Sequence, residues 1–232
     1  LDASIRSNDE SHWRKRQIAT HFIQEGVDPI PNESANAQRS AYGIPDHSII
    51  LATTPDVDGK FDDAFLDATV QILRQHPQTV LLVAGEADQQ QVKRRLESAG
   101  LAKRVGFAGK RKDPADFLRL ADVYLVPFPR QNVSGTLAAM SAGRAIVALA
   151  GDPDDPQRPD DMIGHELTAS DLPEYVDRIA KLVRDPALRS QTGDVLKARA
   201  AAQFGYEQTA KSIEQLCRNL LNTEAPPQRV AA

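Results

Sequence analysis

Five short apolar runs, each followed by a stretch with helical spacing, dictate most of what this chain can fold into. Residues 48–53, 79–84, 104–108, 123–127 and 145–149 are rich in Val, Ile and Leu and show little polar alternation. Strands lose that alternation when both faces are buried, as in a parallel sheet covered by helices on two sides. Between the runs, apolar residues recur at i, i+3 and i+4. Residues 61–75 carry Phe65, Ala68, Ile72 and Leu73 along one side, and 87–99 carry Val92 and Leu96. The stretch 114–120 is short and opens on Pro114, which suits a first helical turn. The helix expected at 134–142 stops at Gly143. Three more helices are expected at 172–183, 186–202 and 206–221. The alternation predicts an α/β protein, a three-layer sandwich around a mostly parallel sheet. An earlier candidate strand, 17–23, runs into the turn Gly26-Val27-Asp28.

With 232 residues, 41% hydrophobic and 26% charged, the chain suits one globular domain, placed here at 17–221. Residues 1–16 are polar and open on Leu1 rather than Met, which predicts a linker or the remnant of an upstream segment in a cut chain. The acidic stretch 151–162, with three prolines, predicts a surface loop, and 222–232 predict a flexible tail. A net charge of −4 and a pI near 5.8 disfavour nucleic acid as a partner. The basic runs Lys93-Arg94-Arg95 and Lys110-Arg111-Lys112 read as solvated faces. A single cysteine excludes a disulfide framework within the chain and any multi-cysteine metal site. Cys217 falls in the apolar pattern Ile213, Leu216, Cys217, Leu220, so it is expected to be buried and inert. No apolar run approaches the roughly 18 residues of a membrane span, and the first residues lack the apolar core of a signal peptide. A cytoplasmic location is the expectation. The five histidines have no ligand spacing, so no metal site is expected.

In open parallel sheets, ligands bind beyond the carboxyl ends of the strands. Three loops there carry chemistry. After the run 48–53, Gly59-Lys60 precedes a helix and offers a backbone amide and a cation to a phosphate, or is simply a surface turn. After 123–127, Asn132, Ser134, Gly135 and Thr136 fall at a helix start, where unpaired amides and a partial positive charge suit a phosphate, Gly135 allows its close approach, and the Ser134 and Thr136 hydroxyls are expected to donate to it. The same residues also fit a capped helix with nothing bound. In VGFAGKRKDPADF, Gly106 and Gly109 flank a strand end whose backbone can pair with a flat heterocycle. There is no G-x-G-x-x-G and no G-x-x-x-x-G-K-[ST], which disfavours a nicotinamide site or a P-loop, and nothing nominates a nucleophile with its base.

Order and spacing together resemble the C-terminal domain of retaining GT-B glycosyltransferases of the group 1 (family 4) type, over residues 17–221. IQEGVDPIP is similar to that family's "ipnGVD" turn. TVLLVAGEADQQQVKRRLESAGLAKRVGFAGKRKDPADFLRLADVYLVPF follows its middle stretch segment for segment, and LAAMSAGRAIVAL its "lEAMAxGkPVva". RDPALRSQTGDVLKARAAAQFGYEQTAKSIEQL is similar to its closing helices.

The resemblance implies a Rossmann-like domain, one half of a GT-B fold, that binds a nucleotide-diphosphate sugar for transfer to an unknown acceptor. It places the nucleobase at the strand end Val105–Gly109 and the diphosphate at the helix opening near Ser134–Thr136, with Asn132 beside it and Lys60 in the role of a clamping lysine. The arginine that usually follows the first strand is replaced by Thr53-Thr54. Aligned through Ala139-Met140, the two glutamates of the family's E-x7-E motif fall on Arg130 and Ala138, so Arg130 faces a phosphate or an anionic sugar if it contacts the donor at all. No metal and no cofactor besides the donor are implied. The partner implied is an N-terminal Rossmann domain, which this stretch does not contain; without it the isolated chain is expected to be inactive. A degenerate, non-catalytic domain with a binding or scaffolding role is the competing expectation.

Overall fold

The structure is a computed structural model that describes residues 23, 25–30, 39, 42–55, 59–110, 115–129, 131–151 and 158–222. Six strands form one sheet in the order β3-β2-β1-β4-β5-β6, every pairing parallel. In chain order the strands are β1 Ile49–Thr53, β2 Thr79–Ala84, β3 Val105–Gly109, β4 Val123–Leu125, β5 Ala145–Leu149 and β6 Thr168–Ala169. The helices are α1 Asp63–Gln75, α2 Gln89–Ser98, α3 Ala115–Leu118, α4 Val133–Ser141, α5 Pro159–Ile163, α6 Leu172–Arg184, α7 Pro186–Gln203 and α8 Tyr206–Asn222. This strand order is the Rossmann one, in which the chain reverses direction across the sheet between β1 and β4.

The apolar runs form strands because each has two covered faces. Side chains alternate across a strand, and here the alternation sorts residues between two cores. Ile50, Ala52, Leu82, Ala84, Tyr124, Ile146 and Ala148 meet α3, α4 and α7 on one side. Leu51, Leu81, Val83, Val123, Leu125 and Val147 meet α1, α2 and α6 on the other. Leu81 and Leu82 have no exposed surface, and truncating either to Ala is expected to cost about 2–5 kcal/mol.

The amino ends of the central strands are closed by Asp122. Its Oδ2 accepts the Ile50 amide at 2.8 Å and lies 3.7 Å from Arg39, which also donates to the Ser48 carbonyl at 2.8 Å. A ligand is thereby left the carboxyl edge.

Four findings depart from the expectations. The run 151–162 is not all loop, because Pro159–Ile163 turns as α5, with Pro at its first position and Asp160 and Asp161 in its first turn. The two-residue β6 extends the sheet beyond the five expected strands. β4 stops at Leu125, two residues short of the run that suggested it. Cys217 is exposed rather than buried, because α8 buries none of its residues in either core. The candidate strand 17–23 lies, but for Ile23, outside the described residues, as do 1–16 and 223–232.

Candidate functional site

The carboxyl edge at the β1/β4 crossing is held by side chains that turn inward. Thr53 Oγ1 donates to the Leu125 carbonyl at 2.8 Å, and Thr54 Oγ1 pairs with the Tyr124 hydroxyl at 2.6 Å. Burial raises the Tyr124 phenol far above its ordinary value despite that bond, so it stays protonated. The two threonines standing in place of an arginine thus stitch β1 to β4 and leave no cation at this position.

α4 begins directly above this pair. Asn132 caps it, accepting the Gly135 amide at 2.7 Å and donating from Nδ2 to the Pro55 carbonyl at 2.8 Å. One side chain therefore fixes both the helix start and the first residues of the β1 loop. Gly135 is required by packing, because a Cβ there would collide with Thr54 Oγ1 and the Tyr124 hydroxyl. Its close approach is to the sheet, whereas the sequence suggested approach to a phosphate. Thr136 is buried, and both its amide and its hydroxyl donate to the Asn132 carbonyl, each at 2.9 Å. The expectation that the Thr136 hydroxyl reaches a ligand is therefore corrected. Ser134 is exposed, but its hydroxyl donates to both oxygens of Glu25, at 3.0 and 2.9 Å. Helix geometry leaves the amides of Val133 and Ser134 for an incoming anion.

Glu25 was not singled out in the sequence. The signal was an acid standing where the family turn has Asn, in a segment that docks on α4. Ser141 Oγ donates to the Asp28 carbonyl at 2.5 Å and accepts the Ile30 amide at 3.1 Å, so residues 25–30 lie along the helix.

Lys60 is exposed between the buried Gly59 and the buried Phe61. Gly59 has a φ of +73°, and a Cβ on it would collide with the Glu86 carbonyl, so the β1 loop and the β2 loop touch backbone to backbone. Gly109 closes the row. It ends β3 with a φ of +66°, its carbonyl accepts the Gly85 amide at 2.9 Å, and the space a Cβ would enter is open. Lys60, Gly109, Asn132, Ser134 and Gly135 thus share the carboxyl edge. Val105 does not, because it opens β3 opposite Leu81, four residues and ~13 Å from Gly109 at about 3.3 Å per residue. Arg130 lies outside the described residues. Ala138, aligned with the second motif glutamate, is buried in the core on that face of the sheet. Among the described residues no three His, Cys, Asp or Glu side chains group to hold a metal ion, and no helix is long and apolar enough to cross a membrane.

Comparison with known proteins gives this edge a context. The sequence model described as glycosyl transferases group 1 matches residues 57–185, more than half of the chain. The lipopolysaccharide core biosynthesis mannosyltransferase LpcC of Rhizobium leguminosarum bv. viciae is 27% identical over 231 residues, covering 95% of this chain and 65% of its own length. A phosphatidyl-myo-inositol mannosyltransferase of Mycobacterium tuberculosis is 29% identical over 196 residues, covering 82% of this chain and 50% of its own. The chain thus spans between half and two thirds of these relatives. Among solved structures, HepE of Anabaena in complex with UDP superposes with a TM-score of 0.72 at 16% identity, over 90% of this chain and 61% of that one. The C-terminal domain of a group 1 family protein from Francisella tularensis, itself called LpcC, superposes with a TM-score of 0.59 at 21% identity, over 78% of this chain and 99% of that domain. At these identities the superpositions speak for the fold alone.

Proposed function

Because the chain belongs to the group 1 glycosyl transferases, we propose that it is the donor-binding half of a glycosyltransferase and holds a nucleotide-diphosphate sugar at the carboxyl edge of its sheet. The observation that carries this reading is the start of α4, set at the β1/β4 crossing with two first-turn amides open and an acidic side chain already resting on its hydroxyl. A site that attracts the chain's own carboxylate suits the oxygens of a diphosphate. Lys60 supplies the cation, and the backbone at Gly109 meets the nucleobase. Asn132 shapes the site without touching the ligand. Binding proceeds without a divalent metal, and transfer awaits an N-terminal domain that carries the acceptor and completes the cleft.

Calorimetric titration with UDP, GDP, ADP and their glucose and mannose conjugates, with and without magnesium, tests this. The mannose conjugates belong in the panel because the relatives above are mannosyltransferases. Saturable binding of one diphosphate, tighter than its monophosphate and indifferent to chelator, is expected. No saturation at millimolar ligand would sink the donor reading and favour the second one, a domain that has lost its donor. That alternative draws on the buried Ala138 in place of a carboxylate and on the inward turn of Thr53 and Thr54.

A further inference from the structure

We propose that Gln91, in the first turn of α2, is a positioning residue that sets the place of the Lys60 ammonium. This rests on the donor reading above. The carboxamide of Gln91 pairs with both backbone groups of Phe61: Oε1 accepts the Phe61 amide at 3.0 Å, and Nε2 donates to the Phe61 carbonyl at 2.7 Å. On the other side of the lysine, the Gly59 carbonyl accepts the Asp88 amide at 2.6 Å. Asp88 in turn caps α2, accepting the amides of Gln90 and Gln91 at 3.0 Å each. The residues before and after Lys60 are therefore both bonded to the first turn of one helix. Phe61 is further pinned by its ring, stacked on Phe65 at 5.2 Å between centroids.

The consequence for chemistry follows from the nature of lysine. Its charge sits at the end of a flexible four-carbon stem, and each rotor frozen on binding costs entropy. A backbone clamped on both sides removes the main-chain part of that cost, so the ammonium searches only its own rotamers. Gln91 touches neither phosphate nor sugar in this scheme, and it acts only through the position of Lys60. The two bonds it makes are reciprocal, so a side chain of equal length without the amide loses both at once.

The test is a double-mutant cycle on the whole chain, with UDP or GDP as ligand, whichever the unsubstituted chain binds tighter. Lys60→Ala is expected to weaken binding about tenfold, the size of one charge-assisted contact. Gln91→Met, which keeps length and volume, is expected to weaken binding about fivefold in the parent chain and not at all in the Lys60→Ala background. A purely structural role would weaken both backgrounds equally, and that result overturns the proposal, as does unchanged affinity in Gln91→Met. If Gln91→Met fails to fold by circular dichroism, Gln91→Leu takes its place, an uncharged side chain that also lacks both bonds to Phe61; the same non-additivity is required of it. Absence of nucleotide binding by the parent chain overturns the donor reading and this proposal with it, whereas normal parent binding with additive mutants overturns this proposal alone.

Discussion

Gly135 shows how one residue type serves a different end from the one its sequence context suggests. In the sequence it stands in an Asn-x-Ser-Gly-Thr opening that fits a phosphate; in the structure it lets α4 settle onto the Thr54–Tyr124 pair. Gly135→Ala is accordingly expected to destabilise the chain by about 1–3 kcal/mol, the usual cost of overpacking, because both neighbouring hydroxyls are buried and bonded to each other. A chemical denaturation curve with an unchanged midpoint would contradict this. Glu25 supplies a second prediction at this scale. Its carboxylate takes the Ser134 hydroxyl that a diphosphate would use, so Glu25→Gln is expected to tighten nucleoside diphosphate binding severalfold by calorimetry, and equal or weaker binding would count against it. Lys60, Asn132 and Ser134 stood out in the sequence as candidates because of their types and spacing, and the structure sets all three at the carboxyl edge. Their partners were not legible. Ser134 meets a residue 109 positions away and Thr54 one 70 positions away, and no local pattern encodes such pairings.

Elements were read well where periodicity had room to repeat. The seven helical patterns, the short one at 114–120 among them, and the five apolar runs all became elements, with ends shifted by a few residues. The misses are short. α5 spans five residues, fewer than two turns, and β6 only two; neither holds together on its own, and both depend on contact with β5. Helix α6 shows how an element's ends carry testable electrostatics. Asp171 caps it by accepting the Glu174 amide at 2.8 Å, while Glu174 Oε2 accepts the Ser170 amide at 2.8 Å and the Ser170 hydroxyl at 2.7 Å. Those bonds, with Arg178 next, hold the Glu174 carboxyl down to about 2. A carboxylate depressed on folding contributes stability above its unfolded value, near 4.3, and that contribution is lost as pH falls toward about 2. Glu174→Gln should therefore flatten the acid limb of the melting temperature between about pH 4.3 and 2, and an acid limb identical to the parent's would count against this account. Asp171→Ala should cost about 1 kcal/mol at neutral pH as a lost cap.

At the scale of the molecule, the two cores account for every α-helix among the described residues but the last. Each of α1 to α7 contributes buried side chains to one face of the sheet or the other, and α8 contributes none. It is tied at its start, where Val27 pairs with Gly205 and Gly26 leaves room for the Tyr206 ring, and then runs on with Ile213, Leu220 and Leu221 at 47%, 57% and 85% exposure. The spacing of Ile213, Leu216, Cys217 and Leu220 identified an amphipathic helix correctly. It did not identify what the apolar stripe meets, because periodicity reports that a face is apolar and not where its cover comes from. A helix of 17 residues that enters neither core gains little stability from packing. Its backbone amides should therefore exchange with solvent far faster than those of β1 and β2, whose side chains are almost wholly buried. Cys217 offers the sharper measurement, since it is the only cysteine of the chain and lies on that stripe. In dilute solution its thiol should react with a maleimide in the native chain within about twofold of the rate in denaturant, as an accessible side chain on a fraying helix would. Strong protection at every concentration would place α8 against the body of its own chain, contrary to the described fold. Protection that grows with protein concentration would instead show the stripe burying itself against a second copy, the expected fate of an uncovered apolar face.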